Sequence, residues 1–308
     1  MPIKIIEDIP VRTQLRAEQI NTIENSRAMK QDIRPLRILI LNLMPKKEIT
    51  ELQLLRLLSN TPLQIDVDFL YTSSHQSEHT AVKHLQQFYK EFADIKDQYY
   101  DGLIITGAPV EHLNFLDIDY IHELDDIMRW SQQHVFSRLF ICWAALYALN
   151  FDHNVDKIRL KNKLFGIYPY KTLDPHHPLL RGFDDFYNVP QSRHMNVDYD
   201  KIKVTSELVV LSEHPTFGPD ILTTLDQRDV FILGHLEYDR DTLKQEYDRD
   251  VLQGKVISLP ENYFPNDDPD ILPNITWKSH GHLLYNNWLN ETYQNTLYNL
   301  NHLSLYFK

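Results

Sequence analysis

The sequence predicts an α/β fold, a mostly parallel sheet with helices on both faces. Two observations predict it. Near-continuous aliphatic runs of strand length recur along the chain, as strands buried on both faces require. Segments with helical periodicity separate them, in the order strand, helix, strand, helix.

The first run is Leu36-Arg-Ile-Leu-Ile-Leu-Asn-Leu43. Residues 47–59 follow with Ile49, Leu52, Leu55 and Leu58 at helical spacing. Pro62 and the alternation from Leu63 to Phe69 predict a second strand. Residues 79–97 read as a helix, and Tyr100 to Gly107 as a strand ending in a glycine turn. An amphipathic helix over 117–136 precedes Arg138-Leu-Phe-Ile-Cys-Trp143, a short buried strand that stops at the cysteine. Ala144–Asn150 is apolar and helix-compatible. Short strand-like runs then occupy Phe165–Tyr168, Lys203–Val204, Val209–Leu211 and Val230–Leu233. Residues 238–253 read as a charged helix, 259–274 as a Pro/Asn/Asp-rich loop, and Ser279–Leu297 as a terminal helix. Residues 1–34 are expected to form an arm packing on the body, 35–300 a single α/β domain, and 301–308 a C-terminal tail.

The 308 residues carry 31 Lys+Arg against 43 Asp+Glu, a net charge of −12. That balance argues against a nucleic-acid partner and against an anionic membrane surface. The opening MPIKIIEDIP lacks an apolar signal core, so a cytoplasmic protein is expected. The single cysteine, Cys142, excludes an internal disulfide and thiolate zinc sites. The pairs His176-His177 and His280-x-His282 lack an evident third ligand, and no metal is expected. Lys46 and Lys47 open a predicted helix and read as a solvated pair. No phosphate-cradling glycine loop can be assembled from the eight glycines.

The chemistry centres on Cys142. Phe-Ile-Cys142-Trp-Ala-Ala has the form strand, nucleophile, helix, which lifts a side chain above the carboxyl edge of a sheet, beside a helix N-terminus that favours a thiolate. A cysteine nucleophile needs a base and a group to orient it. Gly234-His235-Leu-Glu237 supplies both directly after a strand, and extended backbone would place residues i and i+2 on one face. Backbone amides at Trp143 and in the Thr106-Gly107 turn are the candidate oxyanion donors. Glycine there permits an unusual backbone and blocks little space.

The strand-Cys-helix and His-x-Glu arrangement resembles the flavodoxin-like, class I glutamine-amidotransferase-like fold. The resemblance narrows through MPIKIIEDIP, Arg34-Pro-Leu-Arg-Ile-Leu-Ile-Leu-Asn-Leu-Met-Pro-Lys-Lys47, Gly107-Ala-Pro-Val-Glu111, Gly234-His-Leu-Glu-Tyr-Asp239, Pro260-Glu-Asn-Tyr-Phe-Pro265 and His280-Gly-His-Leu-Leu284. Together these resemble the homoserine O-acyltransferases, or homoserine trans-succinylases, from residue 1 to about 297. The resemblance implies transfer of an acyl group from acyl-CoA to the hydroxyl of L-homoserine, in methionine biosynthesis. It implies Cys142 as nucleophile, His235 as base, Glu237 as its partner, Lys163 and Ser192 as substrate contacts, and Arg249 as the holder of the amino-acid carboxylate. It implies no bound cofactor, acetyl-CoA as co-substrate and a homodimer. In this family the residue at Glu111 is a donor selector. A carboxylate there would repel the distal carboxylate of a succinyl group, so an acetyl donor is expected. Cys142-Trp-Ala-Ala-Leu146 departs from the family's Cys-Trp-Gly-Ala-Gln. Serine as acceptor, succinyl as donor and a glutamine-amidotransferase-type hydrolase are the alternatives.

Overall fold

Residues 3–4, 9–17, 22–23, 34–74 and 81–303 are described by a computed structural model. Most of the expected arm at 1–34 and tail at 301–308 lies outside them. Along the chain run β1 (Ile3–Lys4), α1 (Val11–Ala17), β2 (Thr22–Ile23), β3 (Leu36–Leu41), α2 (Lys47–Leu58), β4 (Ile65–Leu70), α3 (Val82–Phe88), β5 (Tyr89–Lys90), α4 (Phe92–Ile95), β6 (Tyr100–Ile105), α5 (Ile121–His134), β7 (Val135–Ile141) and α6 (Trp143–His153). Then come β8 (Lys157–Thr172), β9 (Phe186–Val197), α7 (Tyr199–Val204), β10 (Leu208–Val210), β11 (Ser212–His214), β12 (Gly218–Pro219), β13 (Ile221–Thr224), β14 (Asp229–Ile232), α8 (Thr242–Leu252) and α9 (Lys278–Asn295).

The main sheet runs β10-β13-β14-β7-β6-β3-β4-β1-β2, with β5 beside β4. Its centre is parallel, and β10 and β13 join antiparallel at one edge. Alternation along each strand divides the core in two. Ile38, Ile40, Ile104 and Ile141 face one way, toward Leu54, Leu55 and Leu58 of α2 and Trp288 of α9. Leu39, Leu41, Leu103, Ile105 and Phe140 face the other, toward Leu124, Ile127 and Met128 of α5 and the apolar α6. This is why the central strands read as unbroken aliphatic runs. Ile9, Val11 and Leu15 belong to the first of these clusters.

Four expectations give way. The helix expected over 79–97 is instead α3, β5 and α4. Buried Tyr89 is pulled into extended backbone beside Phe69, and its hydroxyl donates to Glu51 at 2.7 Å. Glu91 and Asp94 then form a capping box that restarts a helix. Lys203–Val204 lies in α7, not a strand, because the Asp198 carboxylate caps it by accepting the Lys201 N–H at 3.0 Å. Phe165–Tyr168 is a fragment of the 16-residue β8, which pairs with β9 and β11 in a separate antiparallel sheet ordered β12-β11-β8-β9. Lys47 is buried rather than solvated. Its ammonium donates to the Asn42 carbonyl at 2.5 Å, and burial lowers its pKa to about 8 against the pull of Glu51.

Candidate active site

Parallel register decides what meets at the carboxyl edge. Ile141 is level with Ile232, and Phe140 with Ile105, so β6, β7 and β14 end side by side. The residues just beyond these ends are Gly107, Cys142 and His235. Open parallel sheets gather their chemistry at this edge. The Cys142 N–H donates to the Ile232 carbonyl at 2.7 Å, locking the cysteine to the neighbouring strand.

Cys142 adopts φ 51° and ψ −111°, outside the ordinary regions for a residue with a side chain. That turn takes the chain straight from β7 into α6, whose first intrahelical bond is Leu146 N–H to Cys142 C=O at 3.1 Å. The amides of Trp143 and its successors are thus free of helix partners beside the sulfur. Gly107 has no positive φ, so its backbone is not the reason for glycine, contrary to expectation. Packing does not demand it either; glycine leaves open the space above the cysteine. A Cβ there would lie 3.5 Å from Cys142 Cβ and 3.7 Å from His235 Cε1. The same two distances bring the cysteine and the imidazole together at Gly107.

His235 Nδ1 and a Glu237 carboxylate oxygen are 2.6 Å apart, with side chains only 5% and 8% exposed. They meet through a turn closed by Tyr238 N–H on the His235 carbonyl at 3.2 Å, not through an extended i, i+2 face. With Nδ1 engaged, Nε2 is the nitrogen left for Cys142. Burial disfavours the imidazolium, but the Cys142 sulfur and the Glu237 carboxylate more than offset it and raise the His235 pKa well above its ordinary value. The Tyr238 ring stacks on the imidazole, centroids 4.1 Å apart and planes 13° apart, fixing its tilt. A small cavity lined by Met44, Thr50, Thr106, Gly107, His235 and Glu237 opens here. A larger one, about 660 Å³, lies at the opposite edge of the sheet, against Ser137 and Trp288, away from this chemistry.

The antiparallel hairpin brings further expected residues to one place. Lys163 of β8 and Ser192 of β9 both contact the Glu246 carboxylate, at 3.4 Å and 2.5 Å. The Tyr238 hydroxyl donates to the same carboxylate at 3.3 Å. Sequence reasoning missed Glu246. Its signal was its place one helical turn before Arg249 on α8, a spacing that puts both on one face. Arg249 is half-exposed, and its Nε–H donates to Asp250 at 2.9 Å.

Glu111 does not point freely into space. Its carboxylate accepts the backbone N–H groups of His194 (2.9 and 3.0 Å) and Met195 (3.1 Å) on β9. The Lys157 ammonium holds the same loop through the Glu111 carbonyl at 2.8 Å. Glu111, His112 and His194 are the one group with metal-ligand spacing among the described residues, their ligand atoms within 4.8 Å. The two amide donors already occupy that carboxylate. Burial lowers the His194 pKa, and His112, Lys163 and Arg159 add to it against the pull of Glu111. Lys163 and Arg159 place positive charge beside the group, so a cation is poorly served there.

The profile of the homoserine O-succinyltransferase family matches residues 2–298. The chain belongs to this family. It is 50% identical to a homoserine O-acetyltransferase of Lactococcus lactis subsp. cremoris over 97% of this chain and 94% of that protein. It is likewise 50% identical to a homoserine O-acetyltransferase of Streptococcus pneumoniae over 96% of this chain and 95% of that protein. Among solved structures, a glutamine amidotransferase from Thermotoga maritima aligns with TM-score 0.53 at 12% identity, over 84% of this chain and 99% of that one. One from Methylobacillus flagellatus gives 0.51 at 10% identity, over 84% and 95%. These two carry the fold expectation, an α/β sheet of the glutamine-amidotransferase type, and nothing of the family's chemistry. No helix among the described residues is long and apolar enough to cross a membrane.

Proposed function

We propose that this member of the homoserine O-succinyltransferase family is a homoserine O-acetyltransferase. It would move acetyl from acetyl-CoA to the hydroxyl of L-homoserine through an acetyl-cysteine at Cys142, in methionine biosynthesis. The single observation that carries the reading is the convergence of Cys142 and the Glu237-bound His235 around Gly107. The relatives' names support acetyl over the succinyl of the family's title, and so does the carboxylate of Glu111.

The chemistry follows from the arrangement. The Cys142 thiolate, paired with protonated His235, attacks the thioester carbonyl. The Trp143 amide and the Gly107 turn receive the oxyanion. The C–S bond to CoA breaks, and His235 gives its proton to the departing thiolate. Homoserine then enters, its carboxylate on Arg249 and its polar groups near Lys163 and Ser192. Neutral His235 takes the hydroxyl proton as the oxygen attacks the acetyl-cysteine. Collapse expels Cys142 as thiolate beside the restored imidazolium. Ping-pong kinetics follow. No resident cofactor or metal enters any step. A homodimer in the cytoplasm is the setting proposed.

Intact-mass analysis tests this directly. Incubation with acetyl-CoA alone adds one acetyl group, carried on the Cys142 peptide, and homoserine discharges it. Serine, water and succinyl-CoA are the comparison arms. Cys142→Ala abolishes labelling and turnover with the fold retained. Label on any other residue, or faster discharge to serine or water, overturns the reading.

A further inference from the structure

Asp220 is a fully buried carboxylate that the proposed chemistry does not use. It sits between β12 and β13, where the chain passes from the antiparallel sheet to the main sheet. Both its oxygens are engaged. Oδ1 accepts the Gly234 N–H at 2.9 Å and the Gln191 amide at 3.1 Å, and Oδ2 accepts the Tyr187 hydroxyl at 2.9 Å. Its backbone is tied on both sides, accepting from Leu233 N–H at 2.8 Å and donating to the Ser212 carbonyl at 3.0 Å. Gly234 can approach this closely only without a side chain. A Cβ there would fall 2.2 Å from Val189 Cγ1 and 2.8 Å from Asp220 Oδ1.

The next residue is His235, whose own N–H donates to the Pro190 carbonyl at 2.9 Å. The peptide carrying the imidazole is therefore suspended between Asp220 and β9, and both anchors lie on the antiparallel sheet's side. Gln191 extends the link, accepting Arg193 Nε–H at 2.9 Å and so joining a buried cation to the buried anion. A buried carboxylate is costly unless its donors are all in place, and here they are. Burial pushes the Asp220 pKa up to about 6, with Tyr187, Arg193, Gly234 and Gln191 opposing.

We infer that Asp220 is a positioning residue for His235: by fixing the Gly234–His235 peptide it aims the imidazole at Cys142. The inference rests on the proposed pairing of those two side chains. It does not depend on which acyl donor or acceptor is used.

The test is alkylation of Cys142 by iodoacetamide at neutral pH, alongside kcat and KM for acetyl-CoA and homoserine. The chain has one cysteine, so the readout is unambiguous. Asp220→Ala slows alkylation and lowers kcat about tenfold or more, while both KM values move less than about threefold. Asp220→Asn keeps an acceptor for Gly234 without its charge, and falls about two- to fivefold. Circular dichroism matches the parent in both. A folded Asp220→Ala within about twofold of the parent in alkylation overturns the inference. If Asp220→Ala does not fold, Asp220→Asn decides: an alkylation rate equal to the parent's overturns it. Alkylation that follows these ratios in a protein that never acetylates Cys142 refutes the acyltransferase reading alone.

Discussion

Replacing Glu111 separates the job proposed for its carboxylate from the one the structure shows. Charge is the first. A succinyl group places its own carboxylate at the far end of the acyl pocket. At ~5 Å and an effective dielectric of about 20, two like charges repel by about 3 kcal/mol, about two orders of magnitude in kcat/KM. Geometry is the second. Glu111 holds the amides of His194 and Met195 through three contacts of 2.9–3.1 Å. Losing them, and adding glycine's backbone entropy, costs about 1–2 kcal/mol and lowers the melting temperature by a few degrees. Glu111→Gly is expected to raise the succinyl-to-acetyl ratio of kcat/KM about a hundredfold. Glu111→Gln keeps the volume and removes the charge. It gives most of that gain if repulsion selects the donor, and little if bulk does. The assay is free-thiol release from acetyl-CoA and succinyl-CoA with homoserine present, beside thermal melting. An unchanged donor ratio in Glu111→Gly, with a folded protein, refutes the argument.

Gly107→Ala tests whether space above the nucleophile matters. Its backbone is ordinary and the added methyl makes only van der Waals contacts, so stability changes by less than about 0.5 kcal/mol while kcat falls more than about tenfold; unchanged turnover would remove Gly107 from the site. Glu237→Gln lowers the His235 pKa. The imidazolium of the parent stabilises the fold fully below the ordinary histidine pKa and loses that contribution as pH rises through its raised folded value; the variant's NMR titration of the His235 ring moves to lower pH. Arg138→Leu strands two carboxylates, since buried Arg138 binds Asp229 at 2.5 and 2.7 Å and Asp152 at 3.1 Å. The expected loss is about 3–5 kcal/mol, roughly five to eight degrees in melting temperature, and a shift under about two degrees contradicts it.

Legibility followed locality. The central strands could be read because burial on both faces leaves an uninterrupted aliphatic run, as in Leu36–Leu41. Cys142 could be read because an elbow between strand and helix is a local pattern. The β8–β9 hairpin could not. Lys161, Asn162 and Lys163 break its alternation at the bulge between Arg159 and Leu164, and its partners lie about fifteen to forty residues away. Tyr89 departs from its predicted helix for the same reason: the groups that draw it out, Glu51 and Asn42, are tens of residues upstream. Asp220 carries no motif at all, and Glu246 only its spacing from Arg249. Each acquires meaning from donors delivered by the antiparallel sheet, Lys163 and Ser192 for Glu246, Tyr187 and Gln191 for Asp220.

Those donors expose how the two sheets divide the work. The parallel sheet sets Cys142 and Gly107 through strand register alone. The base depends on the antiparallel sheet, through Pro190 and through Gln191 acting on Asp220. Glu111 grips the same strand at 194–195, and Ser192 lies between the two grips. A change at the acyl-donor end of β9 therefore cannot stay there. Loosening residues 194–195 frees the stretch that carries Ser192 and supports His235, so on the proposed roles donor selection and acceptor binding share one strand. Glu111→Gly should accordingly raise KM for homoserine as well as switch the donor, whereas a Glu111 that acts only by repulsion would leave the acceptor untouched.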